Sequence, residues 1–140
     1  VLPLDAIVGS TYDESYVKYK RIDAIDDNDL ILDVGVKTLE KYQKVLSSAK
    51  TIFLNGTLGM YENPKFANGT KEFFKMLTNT NAIVVVGGGD SASAVKNLGY
   101  QNKFTYISSG GGATLDYLGK ENLIALDVIK EEEEIETLDL

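Results

Sequence analysis

The sequence predicts an α/β fold of the Rossmann-like, three-layer α/β/α type, with a mostly parallel sheet between helices. Three observations carry this prediction: short apolar runs recur along the chain, segments with helical spacing follow most of them, and glycine-rich turns follow two of them. Strands that alternate with helices usually pair in parallel through right-handed crossovers. A chain of 140 residues suits one domain of this kind.

The first half of the chain contains three predicted strands and one predicted helix. Residues 4–8 (LDAIV) form a short strand, and the polar residues 12–29 form a long loop. A second apolar run covers residues 30–34 (LILDV), and residues 51–54 (TIFL) form the third strand. Between these last two strands, apolar side chains at helical spacing predict a helix over residues 36–49.

The second half repeats the same order. Residues 82–86 (AIVVV) are apolar at every position, as expected for a strand that is buried on both faces. Residues 104–107 (FTYI) form the last predicted strand. Helices are predicted over residues 90–98 and 113–118, and where Phe66, Phe73, Phe74 and Leu77 share one face. Parallel sheets bind ligands beyond the C-terminal ends of their strands, so we expect functional residues directly after positions 34, 54, 86 and 107.

The composition excludes several classes of site. The chain has no cysteine and no histidine, which excludes disulfides, thiolate or imidazole metal ligands and a Ser-His-Asp triad. No apolar run is long enough for a membrane span, and the N-terminus has no signal-peptide pattern. We therefore expect a cytoplasmic protein with no membrane partner, which the absence of cysteine also fits.

The negative charge is concentrated at the C-terminal end. The formal net charge is −7, and residues 131–140 carry six of the 21 acidic side chains and no basic one. The other 15 acidic and 14 basic side chains nearly balance. They form no basic stripe, so binding to nucleic acid is not expected. The acidic tail is either a solvated chain end or an interaction segment.

Two glycine triplets occupy the same place between a predicted strand and a predicted helix. Residues 87–91 (GGGDS) follow one strand, and residues 108–114 (SSGGGAT) follow the next. Glycine lets the backbone approach a ligand closely, and the following helix offers unpaired N–H groups and a partial charge of about +0.5. This pattern favours a phosphate site, with tight packing turns as the structural alternative. Neither loop is a Walker A or GxGxxG motif.

Asp90 and Ser91 each have two interpretations. Asp90 either caps the helix that follows the glycines or binds Mg²⁺ between phosphates, because a bare carboxylate would repel them. Ser91 either donates its hydroxyl to a phosphate or only occupies the first helical turn. Between residues 82 and 119, Lys96 and Lys103 are the only basic residues. Cations for phosphoryl transfer would therefore have to come from elsewhere.

A third loop follows the strand at residues 51–54. Its segment 55–62 (NGTLGMYE) begins with Asn55-Gly56, which is a strong signal for a plain turn. The further glycine Gly59 and the carboxylate of Glu62 also suit a functional loop, in which Glu62 accepts hydrogen bonds from ribose hydroxyls.

Five segments together resemble the C-terminal, nucleotide-binding domain of the phosphoglycerate kinase family. They are residues 32–38 (LDVGVKT), 54–62 (LNGTLGMYE), 66–71 (FANGTK), 87–91 (GGGDS) and 108–114 (SSGGGAT). Their order and spacing match the family from about residue 2 to residue 126. Residues 1–126 are therefore expected to be part of the nucleotide-binding domain, and residues 127–140 an acidic C-terminal tail.

The resemblance implies a phosphotransferase that moves a phosphoryl group between 1,3-bisphosphoglycerate and ADP in glycolysis, with Mg²⁺ bound to ATP or ADP. It places Leu32 near the base, Glu62 on the ribose, and Asp90 on Mg²⁺. It assigns contacts with the nucleotide phosphates to Asn55, Gly88, Gly89, Asp90 and Ser91. Gly110, Gly111 and Gly112 would open the helix that points at the transferred phosphoryl group and stabilise its charge.

The resemblance covers roughly the last third of such a kinase. The N-terminal domain that binds 3-phosphoglycerate is not represented, nor is the first half of the nucleotide domain with its lysines. We therefore expect a fragment that is inactive alone. Two alternatives remain open: a non-catalytic small module that binds a nucleotide or phosphate, and a structural relic of the kinase fold whose glycines only form turns.

Overall fold

A computed structural model of the chain describes residues 1–10, 15–108 and 110–120. The predicted acidic tail at 127–140 and Ser109 of the second glycine loop lie outside the described residues. The strands are β1 (Asp5–Gly9), β2 (Val17–Arg21), β3 (Leu30–Val34), β4 (Thr51–Asn55), β5 (Ile83–Gly87) and β6 (Tyr106–Ile107). The helices are α1 (Val36–Leu46), α2 (Asn68–Thr78), α3 (Gly89–Asn97) and α4 (Gly112–Lys120), and short 3-10 turns cover Ile22–Ala24 and Pro64–Phe66.

The second half of the chain forms a parallel sheet in the order β4-β5-β6. Asn55 pairs with Gly87 at the end of β4, and Val86 pairs with Ile107 at the end of β6. The three strands therefore end at the same edge of the sheet, and the glycine loops start there. The predicted α/β fold with a parallel sheet and connecting helices is confirmed.

The first three strands form a separate antiparallel sheet in the order β2-β1-β3. Two expectations are wrong here, because residues 12–29 contain a strand and a 3-10 turn, and the strands at 4–8 and 30–34 are not parallel. Apart from half-buried Lys20, the side chains of β2 (VKYKR) are exposed. Backbone pairing with β1 forms this edge strand, and its apolar residues Val17 and Tyr19 are exposed, so no buried apolar run marks it in the sequence.

The core lies between one face of the parallel sheet and the helices. Phe74 is at its centre, and its ring makes edge contacts with Tyr100 and Phe104 at centroid distances of 5.4 and 5.5 Å. The buried members of this core are Leu39, Ile52, Leu54, Phe73, Phe74, Leu77, Val84, Val86, Ala94 and Val95. The expectation that β5 is buried on both faces is wrong, because Ile83 is 54% exposed and Val85 is half-buried.

Buried Asp5 joins the antiparallel sheet to α1. Its two carboxylate oxygens accept hydrogen bonds from the backbone N–H groups of Lys37 and Thr38, from the Thr38 hydroxyl and from the Tyr19 hydroxyl. Lys37 and Thr38 lie in the first turn of α1, so Asp5 serves as a cap for that helix from a distant strand. No helix in the part of the chain that the structure describes could cross a membrane.

Candidate functional site

The candidate site is the edge of the parallel sheet where β4, β5 and β6 end. The sheet order puts the loop after β5 between the other two. The backbone N–H of Ser108 donates to the carbonyl of Val86 at 2.7 Å, which holds the start of the third loop beside β5. The sequence placed functional residues after positions 34, 54, 86 and 107. The structure brings the last three of these loops together, whereas position 34 ends β3 in the antiparallel sheet.

Asn55 and Gly88 approach each other closely at this edge. Gly88 has φ +89°, a backbone conformation that is unfavourable for residues with a Cβ atom. A Cβ atom on Gly88 would lie 2.5 Å from Oδ1 of Asn55. Gly88 therefore needs to be glycine both for its conformation and for the space that Asn55 occupies.

Ser91 links the same two loops from inside. It is completely buried in the first turn of α3, and its hydroxyl oxygen accepts a hydrogen bond from the N–H of Gly56 at 2.6 Å. The position in the first helical turn agrees with one of the two sequence interpretations. The contact with Gly56 was not predicted, since residues 35 positions apart share no local signal.

Asp90 is exposed in the first turn of α3. The interpretation of Asp90 as the helix cap is wrong, because Gly88 is the N-cap residue and no side chain makes a capping hydrogen bond there. No group of three acidic side chains that could hold a metal is found among the described residues. Asp90 presents an exposed carboxylate, an oxygen ligand of the kind that Mg²⁺ prefers.

The third loop has a compact hydrogen-bonded base. The hydroxyls of Ser108 and Thr114 are 2.7 Å apart, and the N–H of Gly110 donates to the Ser108 hydroxyl at 3.2 Å. Gly111 has φ +52°, and α4 begins at Gly112. This arrangement leads the glycines directly into the first turn of α4, where the N–H groups of Ala113 and Thr114 donate to the carbonyls of Gly110 and Gly111 at 3.1 and 3.3 Å.

The loop of residues 56–62 runs from the glycine loops to β3. It begins at the contact of Gly56 with Ser91, and the N–H of Met60 donates to the carbonyl of Leu32 at 2.9 Å. Leu32 is half-buried and Glu62 is exposed. The structure therefore brings the loop that carries Glu62 to the strand that carries Leu32.

Sequence reasoning assigned no role to Asp33, which lies at the end of β3 and is only 1% exposed. Burial raises the pKa of its carboxyl, and hydrogen bonds from the N–H groups of Gly69, Val34 and Asn68 oppose this shift in part. The available signal was an aspartate inside an apolar run (LILDV) directly before Gly35. Its partner Gly69 could not be found from the sequence, because it lies 36 residues away.

Comparison with known proteins places this site in a family. The family model for phosphoglycerate kinase matches residues 1–121. Phosphoglycerate kinase from Dictyoglomus turgidum is 41% identical over 133 residues, which cover 94% of this chain and 34% of that protein. The enzyme from Lactobacillus delbrueckii subsp. bulgaricus is 44% identical over 123 residues, which cover 86% and 30% of the two chains.

Solved structures give the same result. Phosphoglycerate kinase from Pyrococcus horikoshii superimposes with a TM-score of 0.80 and 32% identity, over 94% of this chain and 33% of that one. The structure from Coxiella burnetii gives a TM-score of 0.78 and 35% identity, over 84% and 31%. The chain thus spans about a third of the length of the relatives that it matches. It belongs to the phosphoglycerate kinase family.

Proposed function

We propose that this chain is part of the C-terminal, nucleotide-binding domain of a phosphoglycerate kinase and that its loops hold ADP or ATP. One observation carries the proposal: the motif segments 54–62 and 87–91 meet at the C-terminal edge of the parallel sheet, through the approach of Asn55 to Gly88 and the bond from Gly56 to Ser91. Ligands of parallel sheets bind at this edge.

The phosphates of the nucleotide lie at the N-terminus of α3. The first N–H groups of a helix have no partner inside it, and they carry a partial positive charge that attracts phosphate. Gly89 leaves room for the phosphates, since a Cβ there would meet no atom within 4 Å, and Gly88 lets Asn55 pack against the loop. Asn55 supplies an amide side chain at the same place, and Ser91 holds the two loops in register.

Asp90 is the residue that would hold Mg²⁺. When bound, the ion would neutralise part of the phosphate charge. Asp90 stands in an exposed position at the first turn of α3, where its negative charge opposes that of the phosphates unless a cation lies between them.

The nucleoside end of the ligand lies along the 56–62 loop. Glu62 accepts hydrogen bonds from the ribose hydroxyls, and Leu32 contributes to the wall beside the base. The supporting observation is the hydrogen bond from Met60 to Leu32, which brings this loop against β3.

Gly110, Gly111 and Gly112 act on the transferred phosphoryl group. The backbone N–H groups of Gly111 and Gly112, where α4 begins, would donate to its oxygens as charge develops in the transition state, while the N–H of Gly110 holds the loop through Ser108. The Ser108–Thr114 hydroxyl pair holds the base of this loop, so the donors are oriented before the reaction.

The complete enzyme would transfer the phosphoryl group from 1,3-bisphosphoglycerate to ADP, giving ATP and 3-phosphoglycerate, as a glycolytic enzyme in the cytoplasm. The phosphoglycerate ligands would bind to an N-terminal domain, which lies outside the third of the family's length that these residues match. Only Lys96 and Lys103 are basic between residues 82 and 119, too few cations near the loops for the reaction. The purified chain is therefore expected to bind nucleotide but to form no ATP from 1,3-bisphosphoglycerate. ATP formation at the rate of a complete kinase would refute this.

Replacement of Asp90 tests the nucleotide and metal roles together. For the 140-residue chain, we expect saturable heat on titration with Mg-ADP, and an affinity at least about tenfold lower for Asp90→Ala, as for a lost contact with a charged group. Asp27→Ala is the matched control, since it removes an exposed carboxylate from the loop before β3. The Mg²⁺ dependence of binding, measured by calorimetry with and without EDTA, should disappear in Asp90→Ala only.

The results also separate the alternatives. A structural relic would give no saturable heat with the unmodified chain. An Asp90→Ala variant that keeps its Mg²⁺-dependent affinity would remove Asp90 from the metal site but leave nucleotide binding in place.

A further inference from the structure

Asp33 is a buried carboxylate that the proposed function does not use. Its Oδ2 accepts a hydrogen bond from the N–H of Gly69 at 2.7 Å, and its Oδ1 accepts one from the N–H of Val34 at 2.8 Å. Burying a carboxylate is costly unless its oxygens are engaged in this way. Because both oxygens are engaged, the carboxylate has a defined position at the end of β3.

Two glycines close around this carboxylate. Gly59 lies in the 56–62 loop, and Gly69 lies in the first turn of α2. A Cβ atom on either glycine would overlap Oδ1 of Asp33. The loop and the helix are therefore packed against the same buried side chain, with no space left between them.

Further hydrogen bonds tie the loop to the elements that Asp33 connects. The N–H of Gly59 donates to the hydroxyl of Thr70 in α2 at 3.3 Å, and Thr70 is completely buried. The N–H of Met60 donates to the carbonyl of Leu32 in β3 at 2.9 Å. Glu62 follows two residues later. The position of Glu62 relative to β3 therefore depends on how the 56–62 loop packs on Asp33.

We propose that Asp33 is a positioning residue, which holds the 56–62 loop between β3 and α2 and thereby orients Glu62 toward the nucleoside. Its effect on ligand binding rests on the proposed function. Asp33 does not touch the ligand. Its loss should weaken binding of the nucleoside part and leave binding of the phosphate part at 88–91 unchanged.

Asp5→Asn is the matched control for Asp33→Asn. Asp5 is also a completely buried carboxylate that accepts backbone N–H groups from the first turn of a helix, but its partners belong to α1 and β2. Both variants place an amide N–H against backbone donors and both are expected to lose stability. Only Asp33→Asn should alter the 56–62 loop.

Amide hydrogen exchange tests the positioning without any ligand. Relative to the unmodified chain, Asp33→Asn should speed exchange in a peptide covering residues 56–62 by about tenfold, because the N–H groups of Gly59 and Met60 lose their partners Thr70 and Leu32 when the loop leaves Asp33. Asp5→Asn should leave that peptide unchanged and speed exchange in residues 36–39. Equal protection of 56–62 in both variants would overturn the proposal, whether or not the chain binds nucleotide.

Titration with Mg-ADP and with Mg-pyrophosphate tests the consequence for binding. In Asp33→Asn we expect the affinity for Mg-ADP to fall about tenfold and that for Mg-pyrophosphate to stay within about twofold. In Asp5→Asn the ratio of the two affinities should be unchanged. If the unmodified chain binds neither ligand, the proposed function fails. If it binds both and Asp33→Asn keeps the ratio, only this inference fails.

Gly59→Ala provides a second variant in case Asp33→Asn does not fold. The added methyl group would overlap Oδ1 of Asp33 and the carbonyl oxygen of Phe66, so the 56–62 loop must move away while the chain keeps the Asp33 carboxylate. It should lower the ratio of Mg-ADP to Mg-pyrophosphate affinity as Asp33→Asn does. An unchanged ratio in a folded Gly59→Ala protein would contradict the proposal.

Discussion

Gly88→Ala is expected to lower the affinity for Mg-ADP at least about tenfold and to destabilise the chain by about 1–3 kcal/mol. Two physical effects add here. The backbone at φ +89° is unfavourable for any residue with a Cβ, and that Cβ would lie 2.5 Å from Oδ1 of Asn55. Relief of the clash must move Asn55 or the loop that presents N–H groups to the phosphates. Calorimetric titration and urea unfolding measure the two effects.

Gly99→Ala is a control that introduces similar backbone strain away from the proposed phosphate site. Gly99 has φ +79°, and a Cβ there would meet no atom within 4 Å. This variant should therefore show a comparable backbone cost of about 1–2 kcal/mol with unchanged Mg-ADP affinity, because Gly99 follows α3 at its other end. If Gly88→Ala binds Mg-ADP as well as Gly99→Ala does, the closely packed Asn55–Gly88 edge is not the phosphate site.

Asp5→Ala is expected to give the largest loss of stability, about 3–5 kcal/mol in urea unfolding. The substitution removes the acceptor of four hydrogen bonds, from Lys37, from Tyr19 and twice from Thr38, inside a site with no exposed Asp5 surface. Such a loss is a large part of the stability of a small domain. Asp27→Ala, at an exposed position, should change the stability by no more than about 0.5 kcal/mol.

The effect of Asp5 on the free energy of unfolding should depend on pH in a defined direction. Burial raises the pKa of Asp5, but hydrogen bonds from Thr38, Tyr19 and Lys37 outweigh it, so the folded-state pKa is lowered. Because of this lowered pKa, Asp5 contributes stability that is present above the unfolded-state pKa of about 3.9. That contribution is lost as the pH falls through the folded-state pKa. When the pH is lowered below 5, the free energy of unfolding should therefore fall less in Asp5→Ala than in the unmodified chain. An equal or steeper acid loss in Asp5→Ala would contradict this.

Asp33 should affect the pH dependence of folding stability in the opposite direction to Asp5. Its folded-state pKa is raised, mainly by burial. Its contribution to stability is therefore fully present below the unfolded value and is lost as the pH rises through the folded value. Replacing Asp33 should make the acid loss of stability steeper than in the unmodified chain, whereas replacing Asp5 makes it shallower.

Much of the parallel half was predictable because its signals are local. An apolar run followed by glycines and a helical pattern identified β5 and the loop at 87–91 without knowledge of any other segment. The antiparallel half was not predictable in the same way. β2 buries neither of its apolar side chains, Val17 and Tyr19, and its backbone pairing with β1 makes it a strand. The antiparallel direction of β3 relative to β1 likewise leaves no mark in the residue pattern.

The candidate site divides along the same line. The sequence by itself determined which residue types occur after each strand, because glycines, Asp90 and Asn55 occupy positions that depend on local chain geometry. Only the tertiary structure decided that Asn55 packs against Gly88, that Ser91 binds Gly56 and that Asp33 lies between Gly59 and Gly69. These contacts join residues far apart in the chain, and whether a polar side chain is buried depends on donors that only the folded chain brings to it.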